Sequence, residues 1–183
     1  SVNMTDTYLK CNPDMKMVEK PPQRVLTVPP EPHPHPDSLD NKEANLICCT
    51  QDRVIGTNDE EYIIIDVLGT GTFGQVFRCM RVSDSTYFAL KVVKNKPAYR
   101  NQGLLEIKIA TLLNETYDKE DKNNIVRILD SFTFREHVCL LFELLGMSVL
   151  DVLTQNQYRG LPLNVVRKYS QQLLKAFVVL EEA

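Results

Sequence analysis

Three closely spaced glycines near the middle of the chain constrain its fold more than any other feature. They lie in the string Leu68-Gly69-Thr70-Gly71-Thr72-Phe73-Gly74-Gln75-Val76, a G-x-G-x-x-G-x-V pattern. Glycines at this spacing let backbone N–H groups approach phosphates, because no Cβ stands in the way. Residues 62–68 (YIIIDVL) and 76–82 (VFRCMRV) on either side are rich in apolar and β-branched residues, which predicts two strands. The pattern therefore predicts a phosphate-binding glycine turn in a hairpin or, more plainly, an ordinary hairpin loop.

The same glycine spacing occurs in dinucleotide-binding folds, so a nicotinamide-dependent dehydrogenase is an alternative. In those folds the glycines open a helix. Here the residues that follow the glycines favour a strand, which argues against a dehydrogenase.

A lysine and a glutamate follow the glycine string at a distinctive spacing. Lys91 ends the string Phe88-Ala89-Leu90-Lys91 on a third predicted strand. Its amine can supply positive charge to phosphates, and Ala89 leaves room for a flat base. Glu106 follows on a predicted helix, with apolar residues three, four and seven positions later, so it faces the core side. An acid there needs a cation, and we predict that Glu106 pairs with Lys91.

The remaining pattern predicts an α+β fold. The third strand covers residues 87–94, a helix starts at Pro97, and two more strands cover about 125–134 and 138–142. Ser148-x-x-Asp151 is similar to a capping box and predicts a short helix. A helical stripe follows, formed by Val166, Tyr169, Leu173, Phe177 and Leu180. We therefore predict a five-stranded antiparallel sheet with one helix (residues 61–145), followed by the first helices of an incomplete helical lobe (146–183).

The N-terminal part of the chain is dominated by proline. Residues 1–40 hold eight of the ten prolines and few apolar residues, which predicts a disordered tail. We expect order to begin near Leu46, after a connecting segment that starts at residue 41 and ends at 60. The chain begins with Ser and ends on Glu-Glu-Ala without a helix stop, so we expect both ends to be cut.

Charge and cysteine content exclude several classes of function. The net charge is −3 and no Lys/Arg-rich run stands out, which argues against a nucleic-acid partner. No apolar run is long enough to span a membrane, so we expect no membrane partner. The five cysteines are odd in number and form no C-x-x-C, so we expect no metal site and no disulfide framework. Reduced thiols fit a cytoplasmic or nuclear protein.

From about residue 61 to its end, the chain resembles a eukaryotic protein kinase domain of the dual-specificity tyrosine-regulated (DYRK) family, and within it the Yak-type kinases. The strings that carry this resemblance are residues 91–99 (KVVKNKPAY), 105–107 (LEI), 137–145 (HVCLLFELL), 157–164 (QYRGLPLN) and 176–180 (AFVVL). Residues 40–54 resemble the box that precedes the kinase domain in this branch and packs on its small lobe.

The resemblance implies a set of ATP contacts and a reaction. Leu68, Val76, Ala89 and Val126 would enclose the adenine, and residues 69–75 would cover the phosphates. Phe142 would be the bulky gatekeeper, and Glu143 and Leu145 would offer backbone hydrogen bonds at the hinge. Asp151 would lie near the ribose, although its capping role explains it equally well. The family transfers the γ-phosphate of ATP to Ser/Thr of protein substrates and to a Tyr of its own.

The departures from the family pattern predict an inactive chain. The chain contains neither H-R-D-x-x-x-x-N nor D-F-G, which supply the catalytic Asp and hold Mg²⁺. We therefore expect Mg²⁺ only in a complete kinase and no catalytic residue in this chain, with Lys91 and Glu106 as supporting residues. The alternative is a truncated, non-catalytic binding module or competitor of the full-length kinase. The uncovered stripe on the last helix suggests that the fragment associates with a chaperone.

Overall fold

The computed structural model describes residues 23–35 and 38–183, so most of the predicted tail, at 1–22 and 36–37, lies outside the described residues. The strands are β1 (Arg53–Ile55), β2 (Glu61–Gly71), β3 (Gly74–Arg81), β4 (Tyr87–Val93), β5 (Ile128–Phe134) and β6 (His137–Glu143). The α-helices are α1 (Pro97–Leu112), α2 (Val149–Gln155) and α3 (Leu163–Glu182), and a π-helical turn (Leu113–Tyr117) continues α1.

The strands form one antiparallel sheet in the order β1-β2-β3-β4-β6-β5. The prediction of five strands missed β1, whose three residues pair with the start of β2. Three residues are too few to display an alternating pattern, so no periodicity marks this strand. Strands β2 and β3 continue through the glycine string to Gly71 and Gly74, which leaves only Thr72 and Phe73 at the hairpin tip.

Alternate side chains of the sheet supply two separate apolar cores, as the period of two in a strand requires. On one face, Val93, Val138 and Leu140 pack with side chains of α1, among them Tyr99 and Ile107. The opposite face carries the larger core, in which the following residues are buried together: Leu26, Leu46, Cys48, Val54, Tyr62, Ile64, Phe77, Cys79, Phe88, Leu90, Val92, Cys139 and Leu141. Helix α1 thus covers one face only.

The other face is covered by residues that we expected to be disordered or merely connecting. Leu26 N–H donates to the Cys48 carbonyl over 2.8 Å, and Val25 and Cys49 form an antiparallel bridge. The buried Thr27 hydroxyl donates to Leu46 O over 2.7 Å and accepts from Cys48 N–H over 2.8 Å. The predicted tail up to residue 40 is therefore wrong for residues 24–27, because backbone pairing and two buried side chains offset a proline-rich composition.

Helix α1 begins at Pro97, as predicted, and lies close to the sheet at Gly103. A Cβ on residue 103 would come within 3.1 Å of Val93 Cγ2 and 3.4 Å of Val138 Cγ1. The glycine therefore lets the helix approach β4 and β6 closely. This packing fixes the distance between Lys91 on β4 and Glu106, three residues further along the helix.

The last two helices leave the sheet. Helix α2 begins with the predicted capping box: the Ser148 hydroxyl accepts from Asp151 N–H, and the Asp151 carboxylate accepts from Ser148 N–H. Helix α3 carries the predicted apolar stripe, whose side chains are largely exposed. No helix in the described part of the chain combines the length and apolar character needed to cross a membrane.

Candidate functional site

A cleft of about 400 Å³ opens between the sheet and the start of α2. It is lined by Leu68, Ala89, Val126, Phe142, Glu143, Leu144, Leu145, Gly146, Ser148 and Asp151. All of the residues predicted to surround an adenine line this cleft except Val76, which lies at the hairpin and pairs with Lys91 across the strands. Leu144, Gly146 and Ser148 were missed, although they belong to the same hinge segment and adjoin residues that were predicted.

The hinge segment, residues 143–147 at and after the end of β6, includes a backbone donor that faces the cleft without a partner among the described residues. Glu143 N–H donates to the Arg127 carbonyl over 3.1 Å, and its carboxylate accepts from Arg127 N–H over 2.8 Å. Glu143 can therefore offer a ligand at most its carbonyl oxygen. Within the described ranges no acceptor lies within hydrogen-bond reach of Leu145 N–H, which leaves this donor available to the cleft. A donor beside an acceptor on an apolar-walled cleft matches the edge of a purine base.

The predicted pair of Lys91 and Glu106 is present. Lys91 Nζ lies 2.6 Å from Glu106 Oε1 and 2.7 Å from Oε2, so both carboxylate oxygens bind one ammonium. The lysine side chain is 21% exposed and the glutamate side chain 32%. The pair is therefore partly exposed to solvent, and Lys91 pairs across the strands with Val76, at the end of the glycine string.

The glycine hairpin is shaped by one tight contact and one buried amide. A Cβ on Gly74 would lie far inside van der Waals distance of the Val92 carbonyl oxygen, whereas a Cβ on Gly69 would meet nothing within 4 Å. Gln75 is buried and donates through Nε2 to the Thr70 hydroxyl over 3.2 Å, so its side chain braces the hairpin rather than facing a ligand. Phe73 at the tip lies edge-on to Tyr99 at the start of α1, with 6.0 Å between ring centroids.

Asp151 lines the cleft with a carboxylate that is already engaged. The Ser148 hydroxyl donates to Asp151 Oδ2 over 2.6 Å, and Ser148 N–H donates to the same oxygen over 2.9 Å. The hydrogen bond from the Ser148 hydroxyl, and to a smaller extent the one from Ser148 N–H, hold the pKa of Asp151 below its ordinary value. Asp151 therefore stays ionised and serves first as a helix cap, with its second oxygen left for a ligand.

A second cavity of about 300 Å³ lies behind the cleft. It is lined by Gln102, Glu106, Ile109, Ala110, Leu113, Ile125, Val126 and Phe142. Phe142 and Val126 line both cavities, so the phenyl ring stands between them. Phe142 was predicted as the bulky gatekeeper, and that role stays a prediction. The helical spacing of Gln102, Glu106, Ile109 and Leu113 is the signal that could have predicted this wall.

Comparison with known proteins identifies the family. Residues 62–182 match the family described as "Protein kinase domain". The chain belongs to the protein kinase family. The predicted resemblance is confirmed, because curated relatives that match this kinase chain over 99–100% of its length are Yak-type kinases or carry the name of a serine/threonine-protein kinase.

Three relatives illustrate the similarity. Serine/threonine-protein kinase ppk15 of Schizosaccharomyces pombe is 42% identical over 185 residues, and the match covers 34% of that protein. Dual specificity protein kinase YAK1 homolog of Arabidopsis thaliana is 40% identical over 183 residues, covering 19% of it. Dual specificity protein kinase YAK1 of Saccharomyces cerevisiae is 35% identical over 182 residues, covering 22% of it. This kinase chain thus spans about a third or less of the length of these relatives.

Proposed function

We propose that this chain is the ATP-binding part of a dual-specificity serine/threonine protein kinase that transfers the γ-phosphate of ATP to protein hydroxyls. The observation that carries the proposal is the position of the Lys91–Glu106 pair. Lys91 follows Ala89, which lines the apolar cleft, by two residues on β4, and it pairs across the strands with Val76, which follows the glycine hairpin on β3. Each feature is common alone, but a base-sized cleft, a fixed ammonium and a glycine hairpin together fit a nucleoside triphosphate.

The residues divide the work between base and phosphates. Leu68 and Ala89 contact one face of the adenine and Val126 lies deeper, while Leu145 N–H donates to a ring nitrogen. Glu106 orients the Lys91 ammonium, which binds the α- and β-phosphates, and the hairpin amides bind phosphate oxygens. When bound, ATP supplies the phosphoryl group that is transferred. Asp151 accepts a hydrogen bond from the ribose through the oxygen that Ser148 does not use.

The residues of this chain do not fit a magnesium ion. Kinases hold Mg²⁺ with an Asn and an Asp from two motifs that do not occur among the 183 residues. In the part of the chain that the structure describes, no three His, Cys, Asp or Glu side chains gather in a metal-binding group. We infer that the chain alone binds ATP weakly, with a dissociation constant of roughly 1 mM, about −4 kcal/mol, and transfers no phosphate.

The test compares ATP with adenosine as ligands of the chain. Substituting Lys91→Met keeps the stem and removes the charge, so ATP binding should weaken about tenfold while adenosine binding is unchanged. Lys108→Met removes an exposed charge from α1, the helix that carries Glu106, and should alter neither affinity. Both are measured by NMR titration, which reaches millimolar constants.

Two results would overturn the proposal. If the Lys91→Met variant binds ATP as tightly as the unaltered chain does, Lys91 does not take part in ATP binding. Transfer of radiolabel from ATP by the purified chain would refute its inactivity. In a kinase chain that carries both missing motifs, Lys91→Met should abolish phosphate incorporation while the sheet remains folded.

A further inference from the structure

A tight turn in the segment before the sheet contacts the short link between β4 and α1. The turn covers residues 40–45 and closes on itself, with Asn41 N–H donating to Asn45 O over 2.8 Å and Ala44 N–H to Asn41 O over 2.9 Å. The buried amide oxygen of Asn41 also accepts from Glu43 N–H and Asn45 N–H, each over 3.0 Å. These bonds give the turn a defined shape before it meets the kinase sheet.

The turn holds the link through three contacts. Asn95 N–H donates to the Ala44 carbonyl over 2.8 Å. Asn95 Nδ2 lies 3.3 Å from Asp40 Oδ2, and Lys94 Nζ lies 3.5 Å from Glu43 Oε2. Lys94 and Asn95, two of the three link residues, are therefore bound by backbone or side-chain groups of the turn.

A fully buried histidine fastens the same turn to the sheet. His137 Nδ1 lies 2.7 Å from the Val93 carbonyl oxygen, and Nε2 lies 2.8 Å from Asp40 Oδ1. A carbonyl only accepts, so Nδ1 donates its proton to Val93, the last residue of β4. One carboxylate, Asp40, thus contacts both the start of β6 and the link that leaves β4.

The other side of the link contacts the phosphate-binding elements. Lys94 N–H donates to the carbonyl of Phe73, at the tip of the glycine hairpin, over 2.9 Å. The Lys94 ammonium lies 5.9 Å from the centroid of the Tyr99 ring, and that ring contacts Phe73 edge-on. Residues 94–95 are therefore the place where the turn, the hairpin tip and the first turn of α1 meet.

We propose that the turn of residues 40–45 positions the phosphate-binding elements, with Asp40 as the principal positioning residue. Asp40 and Glu43 fix residues 94–95, which in turn fix the hairpin tip and the start of the helix that carries Glu106. The proposal rests on the proposed ATP site for its functional consequence. The structural half of the proposal is that a segment about fifty positions upstream restrains α1 and the hairpin. This mechanical part rests on the contacts alone.

Hydrogen exchange on the chain without nucleotide tests the mechanical part. Asp40→Asn keeps the size of the side chain but removes its charge and leaves one acceptor oxygen in place of two, which face His137 Nε2 and Asn95 Nδ2. Glu43→Gln removes the ion pair with Lys94, and it provides the same test if the Asp40→Asn variant fails to fold. In each variant, amides of residues 98–104 and of the hairpin should exchange faster, by about tenfold for Asp40→Asn and less for Glu43→Gln, while amides in the centre of β4 keep their protection.

The matched control lies in the same segment. Glu31→Gln breaks the exposed pair of Glu31 with Lys42, which touches neither residue 94 nor residue 95, and should leave exchange in α1 and the hairpin unchanged. Unchanged exchange there in both Asp40→Asn and Glu43→Gln would overturn the proposal. The proposal would also be overturned if amide exchange became faster by the same factor in all six strands, since a uniform increase indicates a loss of overall stability.

A fluorescent reporter gives an independent measurement. The chain contains no tryptophan, so Phe73→Trp places a single indole at the hairpin tip. Adding Asp40→Asn should shift its emission to longer wavelength, because the ring loses its contact with Tyr99, and an unshifted spectrum contradicts the proposal. Asp40→Asn should also weaken ATP binding about threefold or more without affecting adenosine. If the exchange and emission changes occur but ATP affinity does not respond to Lys91→Met, the proposed function fails and the positioning role stands.

Discussion

Gly74 lies directly against Val92, so closely that a Cβ on residue 74 would overlap the Val92 carbonyl oxygen. We predict that Gly74→Ala lowers the free energy of unfolding by about 1–3 kcal/mol, because strand β3 must move away from β4. Gly69→Ala is the matched control, since its Cβ meets nothing within 4 Å. Urea unfolding measures both, and equal effects of the two substitutions would contradict the steric argument.

Buried thiols should resist alkylation. Burial raises the pKa of Cys48, Cys79 and Cys139 to about 12. The pKa of Cys49 is also raised, chiefly by burial, but its side chain is only partly covered. Iodoacetamide at pH 8.5 should therefore modify Cys49 first among these four, with mass spectrometry locating the label, while all four react in urea.

The same thiols make stability fall at high pH. Unfolded thiols ionise near pH 8.5, whereas the three buried thiols keep their protons until about pH 12. Since the unfolded chain loses protons first, their contribution to the free energy of unfolding is fully present below about pH 8.5 and is lost as the pH rises toward 12. Rapid modification of Cys139 in the folded chain would contradict this burial.

Asp118 should make the loop between α1 and β5 sensitive to acid. Burial by itself raises the pKa of this carboxyl, but bonds from Lys122 N–H and Asn123 N–H and the nearby Arg127 cation outweigh it, so the pKa is lowered. Its folded pKa lies below the unfolded value near 3.9, so this contribution is present above pH 4 and is lost as the pH falls through the folded pKa. Asp118→Asn should therefore flatten the decline in stability as the pH falls below about 4.

At neutral pH, Asp118→Asn should lower the free energy of unfolding by about 1–3 kcal/mol, because the N–H donors of Lys122 and Asn123 lose a charged acceptor that is itself buried. Asp121→Asn is the control: this acid also pairs with Arg127, over 3.1 Å, but its side chain is 62% exposed. Thermal unfolding across pH measures both variants. An equally steep acid decline in the Asp118→Asn variant would show that another group is responsible.

The apolar stripe of α3 should make the chain self-associate. Val166, Tyr169, Leu173, Phe177 and Leu180 are 36–55% exposed, and four of them line a groove of about 710 Å³. Each forgoes roughly 1.5–3 kcal/mol of burial, which favours association. Leu173→Lys should reduce self-association in sedimentation velocity, whereas Gln171→Lys, of equal charge but outside the stripe, should not. A monomeric unaltered chain at high concentration would contradict this prediction.

Much of the fold and of the candidate site could be predicted because local chemistry marks it. Pro97 marks the start of α1, Ser148 and Asp151 form the predicted cap, and the string ending at Lys91 marks β4. The pairing of Lys91 with Glu106 was predictable because helical spacing turned the acid toward the sheet. In each case a few neighbouring residues carry the whole signal.

What could not be predicted depends on contacts between distant positions. Asp40 and His137 are 97 positions apart, and the sequence around either residue does not predict their contact. Composition places Thr27 in the predicted tail, but in the structure its hydroxyl bonds to backbone groups of Leu46 and Cys48. The brace formed by Gln75 was missed for a related reason, since a polar residue beside glycines suggests a ligand contact rather than burial.

The segment that covers the sheet, residues 24–35 and 38–54, lies N-terminal to the stretch that matches the protein kinase domain model. That match begins at residue 62, but Leu26, Leu46, Cys48 and Val54 share a single core with strands β2, β3, β4 and β6. A protein trimmed to residues 62–182 would expose that core, at roughly 1.5–3 kcal/mol for each large apolar side chain removed, against a total stability of about 5–15 kcal/mol for a domain. The stretch that matches the kinase domain model is therefore shorter than the stretch that unfolds as one cooperative unit.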